Sequence, residues 1–94
     1  MDDSEQRTGS ITLREPVTTL DTLAPPGSCR VVGISAPAMV RKRLLALGFI
    51  PGALIEAVRA APLGDPVEYR IKGYNISLRK EDARLITVTT GAAR

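Results

Sequence analysis

Apolar and polar residues alternate most cleanly in "VEYRIKG" (67–73). Val67, Tyr69 and Ile71 fall on one side of an extended chain, and Glu68, Arg70 and Lys72 on the other. That period of two marks a half-buried antiparallel strand. "SCRVVGI" (28–34) and "ALIEAVRA" (53–60) read as strands from their branched residues. Gly73 and Asn75 mark a turn into a further strand, "ISLR" (76–79), and "LITVTT" (85–90) closes the series. The period changes in "SAPAMVRKRLLALG", where Val40, Leu44 and Leu47 stand at i, i+4 and i+7, one stripe of a helix. Ser35 is the expected N-cap, with Pro37 in the tolerated first turn. Gly48 suits the left-handed position past the helix end, Phe49 can fold back onto the last turn, and Pro51-Gly52 makes a tight turn. "KEDAR" (80–84) reads as a brief helical turn. Leu20 and Leu23 in "TTLDTLAPPG" read as a single turn that plugs one end of the core. About five short strands with one inserted α-helix and short helical turns predict a mainly β chain, a small, partly open barrel of the SH3 type.

Residues 1–16 lack sustained periodicity and read as a flexible tail, with Ile11 and Leu13 able to touch a domain spanning 17–90; "GAAR" (91–94) reads as a frayed end. A length of 94 residues suits one domain with a modest core. Phe49, Tyr69 and Tyr74 are the only aromatics, so that core must be mostly aliphatic. No apolar run approaches the roughly 18 residues of a spanning helix, so no membrane insertion is expected. "MDDSEQRTGS" has neither the basic start nor the apolar core of a secretory signal, which makes a cytoplasmic address the expectation. A lone Cys29 agrees with a reducing compartment.

The net charge of +3 is uneven. Residues 1–16 hold four acids (Asp2, Asp3, Glu5, Glu15) against Arg7 and Arg14, while residues 17–94 hold eleven Lys/Arg against six acids. A mildly basic domain favours an acidic partner, a nucleic acid or an anionic membrane. Histidine is absent altogether, which removes the commonest general base and the commonest transition-metal ligand. Cys29 then has no imidazole partner, and its place in a strand makes it a buried small hydrophobe. Glu81 and Asp82 read as a solvated turn or helix start. The glycines form no phosphate-cradling G-x-x-x-x-G-K-[ST] loop. Neither an enzyme, a cofactor nor a metal site is expected. Arg41, Lys42, Arg43, Arg70, Lys72, Arg79, Lys80 and Arg84 could contact phosphates. Three aromatics make a poor platform for stacked bases, so nucleic-acid binding should be weak if present.

"RLLALGFIPG", then "APLGDP", then "SLRKEDARLITV" occur in that order, and a chain so built resembles the FeoA family over about Val17 to Val88. The resemblance implies an SH3-like fold and a non-enzymatic accessory role in bacterial ferrous iron uptake. The implied partner is the cytoplasmic, GTP-binding region of a large ferrous iron permease. The 16-residue leader is longer than the family usually carries. A similar SH3-like domain ends metal-dependent transcription repressors, which makes a regulatory module the alternative. At this length there is no room for a winged-helix reader beside it, so a free-standing accessory is expected, with weak self-association left open.

Two surfaces are candidates for docking. "LGFIPG" has backbone reasons for each of its residues and reads as architecture. In "APLGDP", Pro62 and Pro66 stiffen the loop and Gly64 supplies a positive φ, which places Leu63 near the tip beside Asp65. Leu63 is either a cap over the barrel end or an apolar knob held rigid in advance of a partner. On the helix, Leu45 lies about 140° from Val40, beside Arg41 and Lys42. It is either an isolated exposed leucine or the centre of a cation-flanked patch. The expected partner-binding set is therefore Arg41, Lys42, Leu45, Pro62, Leu63, Gly64 and Asp65.

Overall fold

A computed structural model describes residues 17–90. Its strands are β1 (Val17–Thr19), β2 (Gly27–Ile34), β3 (Leu54–Ala60), β4 (Val67–Ile71), β5 (Tyr74–Leu78) and β6 (Ile86–Thr89). A 3₁₀ turn covers Leu20–Thr22, and the α-helices are α1 (Ala38–Leu47) and α2 (Lys80–Ala83). The strands form one antiparallel sheet in the order β1-β6-β2-β3-β4-β5. β1 and β5 are its edges and do not pair with each other, so the barrel is open. Among the described residues no helix is long and apolar enough to cross a membrane.

The mainly β, partly open architecture is the expected one, with six strands instead of about five. β1 is the addition: Val17 pairs with Thr89, Thr18 with Val88 and Thr19 with Thr87. Three residues carry too little alternation to announce a strand, and their partner is at the far end of the chain. The 3₁₀ turn after β1 does plug the core, with Leu20 fully buried and Leu23 packed against the same cluster.

Alternation in the strands decides what is buried. Val67, Tyr69 and Ile71 of β4 face inward, as do Cys29 and Val31 of β2, Ile55 and Ala57 of β3, and Ile86 and Val88 of β6. Two register shifts, between Val31 and Gly33 and between Ala57 and Arg59, bend the sheet so that it curls around this core.

The start of α1 differs from expectation. Its N-cap position is Pro37, no side chain caps it, and the helix begins at Ala38. A residue before proline is pushed out of the helical region, which bars Ala36 from the helix and strands Ser35 outside it. Ser35 instead donates its backbone N–H to the Leu85 carbonyl at 2.8 Å. The other end of α1 is as expected. Gly48 sits at φ 116°, its N–H reaches the Leu45 carbonyl at 3.0 Å, and the Phe49 N–H reaches the Leu44 carbonyl at 3.2 Å. That bond pair is a Schellman stop, and it turns Phe49 into the core.

The β4–β5 turn also falls earlier than expected. Lys72 (φ 52°) and Gly73 (φ 89°) form a two-residue loop, and Asn75 lies inside β5 opposite Arg70. Positive φ at both loop residues matches the twist of a tight hairpin, so Lys72 belongs to the turn and not to the polar face of β4. The Tyr74 hydroxyl then donates to the Leu47 carbonyl at 3.1 Å. Arg43 pairs with Asp82 at 3.7 Å further along the helix. α1 therefore runs back alongside the segment from β5 to α2, with Leu44 buried and Val40 and Leu47 packed on the core.

Candidate partner-docking site

The loop between β3 and β4 is closed at its base and pinned at its side. The Ala61 N–H donates to the Pro66 carbonyl at 2.9 Å, and the Gly64 N–H to the Ala61 carbonyl at 2.7 Å. Gly64 has φ 91°, the left-handed conformation expected of it. Leu63 is 96 % exposed, so the reading of it as a cap over the barrel end does not hold. Pro62 and Asp65 are exposed beside it. Asp65 also holds structure together, since its Oδ1 accepts the Lys80 backbone N–H at 2.9 Å. The N-cap position of α2 is Arg79, which has no side-chain cap. A carboxylate from a distant loop thus satisfies one of the N–H groups that a helix start leaves open.

The second candidate surface is the outward side of α1. Ala38, Lys42 and Leu45 repeat at i, i+4 and i+7, about 160° round the helix from the core stripe. Arg41 and Lys42 are exposed and Leu45 is half-buried. Together with Ala38 and Met39 they line a shallow open groove. Met39 is not among the residues expected from the sequence, and it is 84 % exposed. Helical periodicity also sets it about 100° off Val40 and the core stripe. Neither Arg41 nor Lys42 forms an ion pair with another described residue.

The β3–β4 loop and α1 each make a polar contact with α2. Lys80 holds Asp65 of the loop and Asp82 holds Arg43 of α1. Asp82 therefore joins two elements and is more than the solvated helix start expected of it. The loop carrying Pro62, Leu63, Gly64 and Asp65 is tied to α2 through Asp65, and α1, which carries Arg41, Lys42 and Leu45, reaches α2 through Arg43.

The outer side of β3, β4 and β5 is occupied differently. Arg59 pairs with Glu68 at 2.8 Å, Glu68 accepts from the Asn75 amide, Asn75 accepts from Arg70 at 3.3 Å, and Arg70 reaches Glu56 at 3.6 Å. This ladder compensates its own charges. Arg70, one of the cations considered for phosphate contact, is engaged there.

The buried titratable side chains Cys29 and Tyr69 are both held in their protonated forms. The Cys29 thiol is buried, and loss of hydration pushes its pKa up to about 11, so it stays protonated near neutrality. Burial likewise raises Tyr69 to about 12, helped by the charges of Cys29, Asp21 and Asp65. The Tyr69 hydroxyl has no hydrogen-bond partner among the described residues. Nor do three or more Cys, Asp or Glu side chains of those residues gather where one metal ion could be held.

Comparison with known proteins places the chain. The family model described as FeoA domain matches residues 18–90. The chain belongs to the FeoA family. A curated relative from Porphyromonas gingivalis, an Fe(2+) transport protein A/Fe(2+) transporter FeoB fusion protein, is 50 % identical over 58 residues. That match takes in 62 % of this FeoA chain and only 7 % of the fusion protein's length. The solution structure of an FeoA-like protein from Clostridium acetobutylicum superposes with a TM-score of 0.75 at 31 % identity, covering 83 % of this chain and 91 % of that one. FeoA of Stenotrophomonas maltophilia, a zinc complex described as a procaryotic SH3 domain protein, gives 0.65 at 26 % identity over 76 % and 88 % of the two chains. A manganese-dependent transcriptional repressor shares the fold (TM-score 0.71) at 16 % identity, over 81 % of this chain and 42 % of its own. That likeness is one of fold alone.

Proposed function

We propose that this FeoA-family chain is a non-enzymatic accessory of ferrous iron uptake that docks on the cytoplasmic, GTP-binding region of a ferrous iron permease. The observation that carries the reading is the Porphyromonas gingivalis relative, whose name joins transport protein A and the FeoB transporter in one polypeptide. Fusion keeps two modules at a high effective concentration, about millimolar for short linkers. A contact made without such a tether rests on its own contact energy. The β3–β4 loop and α1, each tied to α2 by a polar contact, are suited to supplying it. They present apolar anchors, Leu63 and Met39, on a closed loop and a helix, so little ordering is left to be done on binding. The regulation is that of an attached subunit: contact with the nucleotide-binding region would alter its occupancy or turnover without any chemistry from this chain.

Titrating the full chain into the isolated soluble region of such a permease tests the reading. Saturable binding in at least one of the nucleotide-free, GDP-loaded and GTP-loaded states is the expected outcome. Absence of binding in all three overturns it.

A further inference from the structure

The groove on the outward side of α1 is lined by both apolar and cationic side chains. Ala38, Met39 and Leu45 supply the apolar surface, and Arg41 and Lys42 the charge. The cations belong to this groove and not to an internal pair, since the neighbouring Arg43 takes Asp82 while Arg41 and Lys42 pair with no described acid. No acidic side chain lines the groove. We propose that this face is the seat of an acidic amphipathic helix of the partner protein, a helix whose leucine-type side chains pack on Met39 and Leu45 to either side of Lys42 and whose carboxylates meet Arg41 and Lys42. The proposal rests on the accessory reading above and names the kind of segment that would be recognised.

Three features of the face favour a helix over an extended segment or a nucleic acid. The backbone of α1 spends its N–H and C=O groups within the helix, so an extended strand laid on it would find no ladder partners. A helix brings its own hydrogen bonds and needs only side-chain contact. The i, i+4, i+7 spacing of Ala38, Lys42 and Leu45 is that of a ridge and groove into which a second helix interdigitates. Methionine adapts to partners of differing shape, and here it stands 84 % exposed, where it contributes nothing to the core. A phosphate backbone would use the two cations but leave Met39 and Leu45 unmatched, and the face offers no aromatic ring for base stacking.

Two synthetic helical peptides that share a leucine ridge, one flanked by glutamates and one by lysines, test this with the full chain by NMR titration. The glutamate peptide is expected to shift the amides of residues 38–46 and to bind roughly tenfold tighter than the lysine peptide. The double substitution Arg41→Glu/Lys42→Glu should reverse that preference, and Met39→Ala should weaken both peptides. These positions are exposed, so thermal melts should match the parent. Equal affinity for both peptides, or shifts confined to the Leu63 loop, overturns the proposal. So does a salt-sensitive shift of residues 38–46 with no peptide bound and no peptide binding, which would give the groove to the acidic residues 1–16 of the chain itself. The permease reading is judged separately: if the soluble permease region binds the parent and the Arg41→Glu/Lys42→Glu variant equally, only the groove assignment fails.

Discussion

Two turns flank β3, and each offers one bulky apolar residue to whatever lies nearby. Before the strand, Gly48–Gly52 carries Phe49; after it, Ala61–Pro66 carries Leu63. Both use proline and a glycine at positive φ. Phe49 is 0 % exposed and Leu63 is 96 % exposed. Turn chemistry is the same in kind, so it cannot be what decides. The attachments decide. The Schellman bonds tie the Phe49 backbone to the end of a helix that is itself docked on the core, and the side chain has nowhere else to go. In the other turn, the 61–66 backbone bonds close the loop on itself, while Asp65 ties it sideways to α2. The tip is left in solvent. A loop closed on itself with its apolar residue outside gains nothing inside the molecule from that residue.

The largest expected effect comes from emptying the buried turn. Phe49→Ala should cost about 3–5 kcal/mol through lost transfer energy and a cavity. Against a total of about 5–15 kcal/mol for a domain of this kind, that is a large loss of melting temperature or outright partial unfolding. A melt within a few degrees of the parent would show that the Phe49 site collapses freely and that the contrast with Leu63 is weaker than burial suggests.

The glycines sharpen the same comparison. Gly48→Ala places a side chain at φ 116° and sets its Cβ 3.1 Å from Ile71 Cγ2, beside the Tyr74 hydroxyl at 3.5 Å. Strain and contact together should cost about 1–3 kcal/mol. Gly64→Ala meets the same kind of backbone, at φ 91°, but open space, so its loss should be the smaller of the two. Paired denaturant titrations measure the difference. Equal losses would mean that backbone strain accounts for both and that the packing behind Gly48 adds nothing.

Asp65→Ala should remove the cap on α2 at a cost of about 1 kcal/mol. The loss should be local, with faster hydrogen exchange in 80–83 and in the 61–66 loop and little change in β2 or β6. Uniformly faster exchange would show that the loop and α2 are not a separate unit.

How much of this is readable in the chain follows from how local each determinant is. The end of α1 is legible because Gly48 and Phe49 act on carbonyls within their own last turn. So is β4, whose alternation is carried by Val67, Tyr69 and Ile71. The start of α1 departs from its expected place although the information is present: Pro37 excludes Ala36 from the helix, and that rule outranks the capping preference of Ser35. β1 is not legible, because Val17–Thr19 becomes a strand only by meeting β6. The joining role of α2 is hidden for the same reason. Asp82 and Arg43 are far apart in sequence, as are Asp65 and Lys80, and no local pattern states that they touch. The anticipated docking residues stand in the sequence as two unrelated fragments, and what ties their elements to α2 is tertiary.

The smallest expected effect on stability is also the most informative. Leu63→Ala removes a side chain that buries almost nothing in the free protein, so the change should stay within about 0.5 kcal/mol, and the melt should overlay the parent. In a complex the same side chain would be desolvated in a partner pocket. Its loss should then cost about 2 kcal/mol of binding, near thirtyfold in affinity for the soluble permease region. Phe49→Ala supplies the opposite pattern, with stability lost first and binding lost only as the fold fails. The two variants measured together, by melting and by titration, separate a residue that holds the molecule from one that reaches beyond it. If Leu63→Ala binds as the parent does while melting as the parent does, the exposed tip is inert and takes no part in docking.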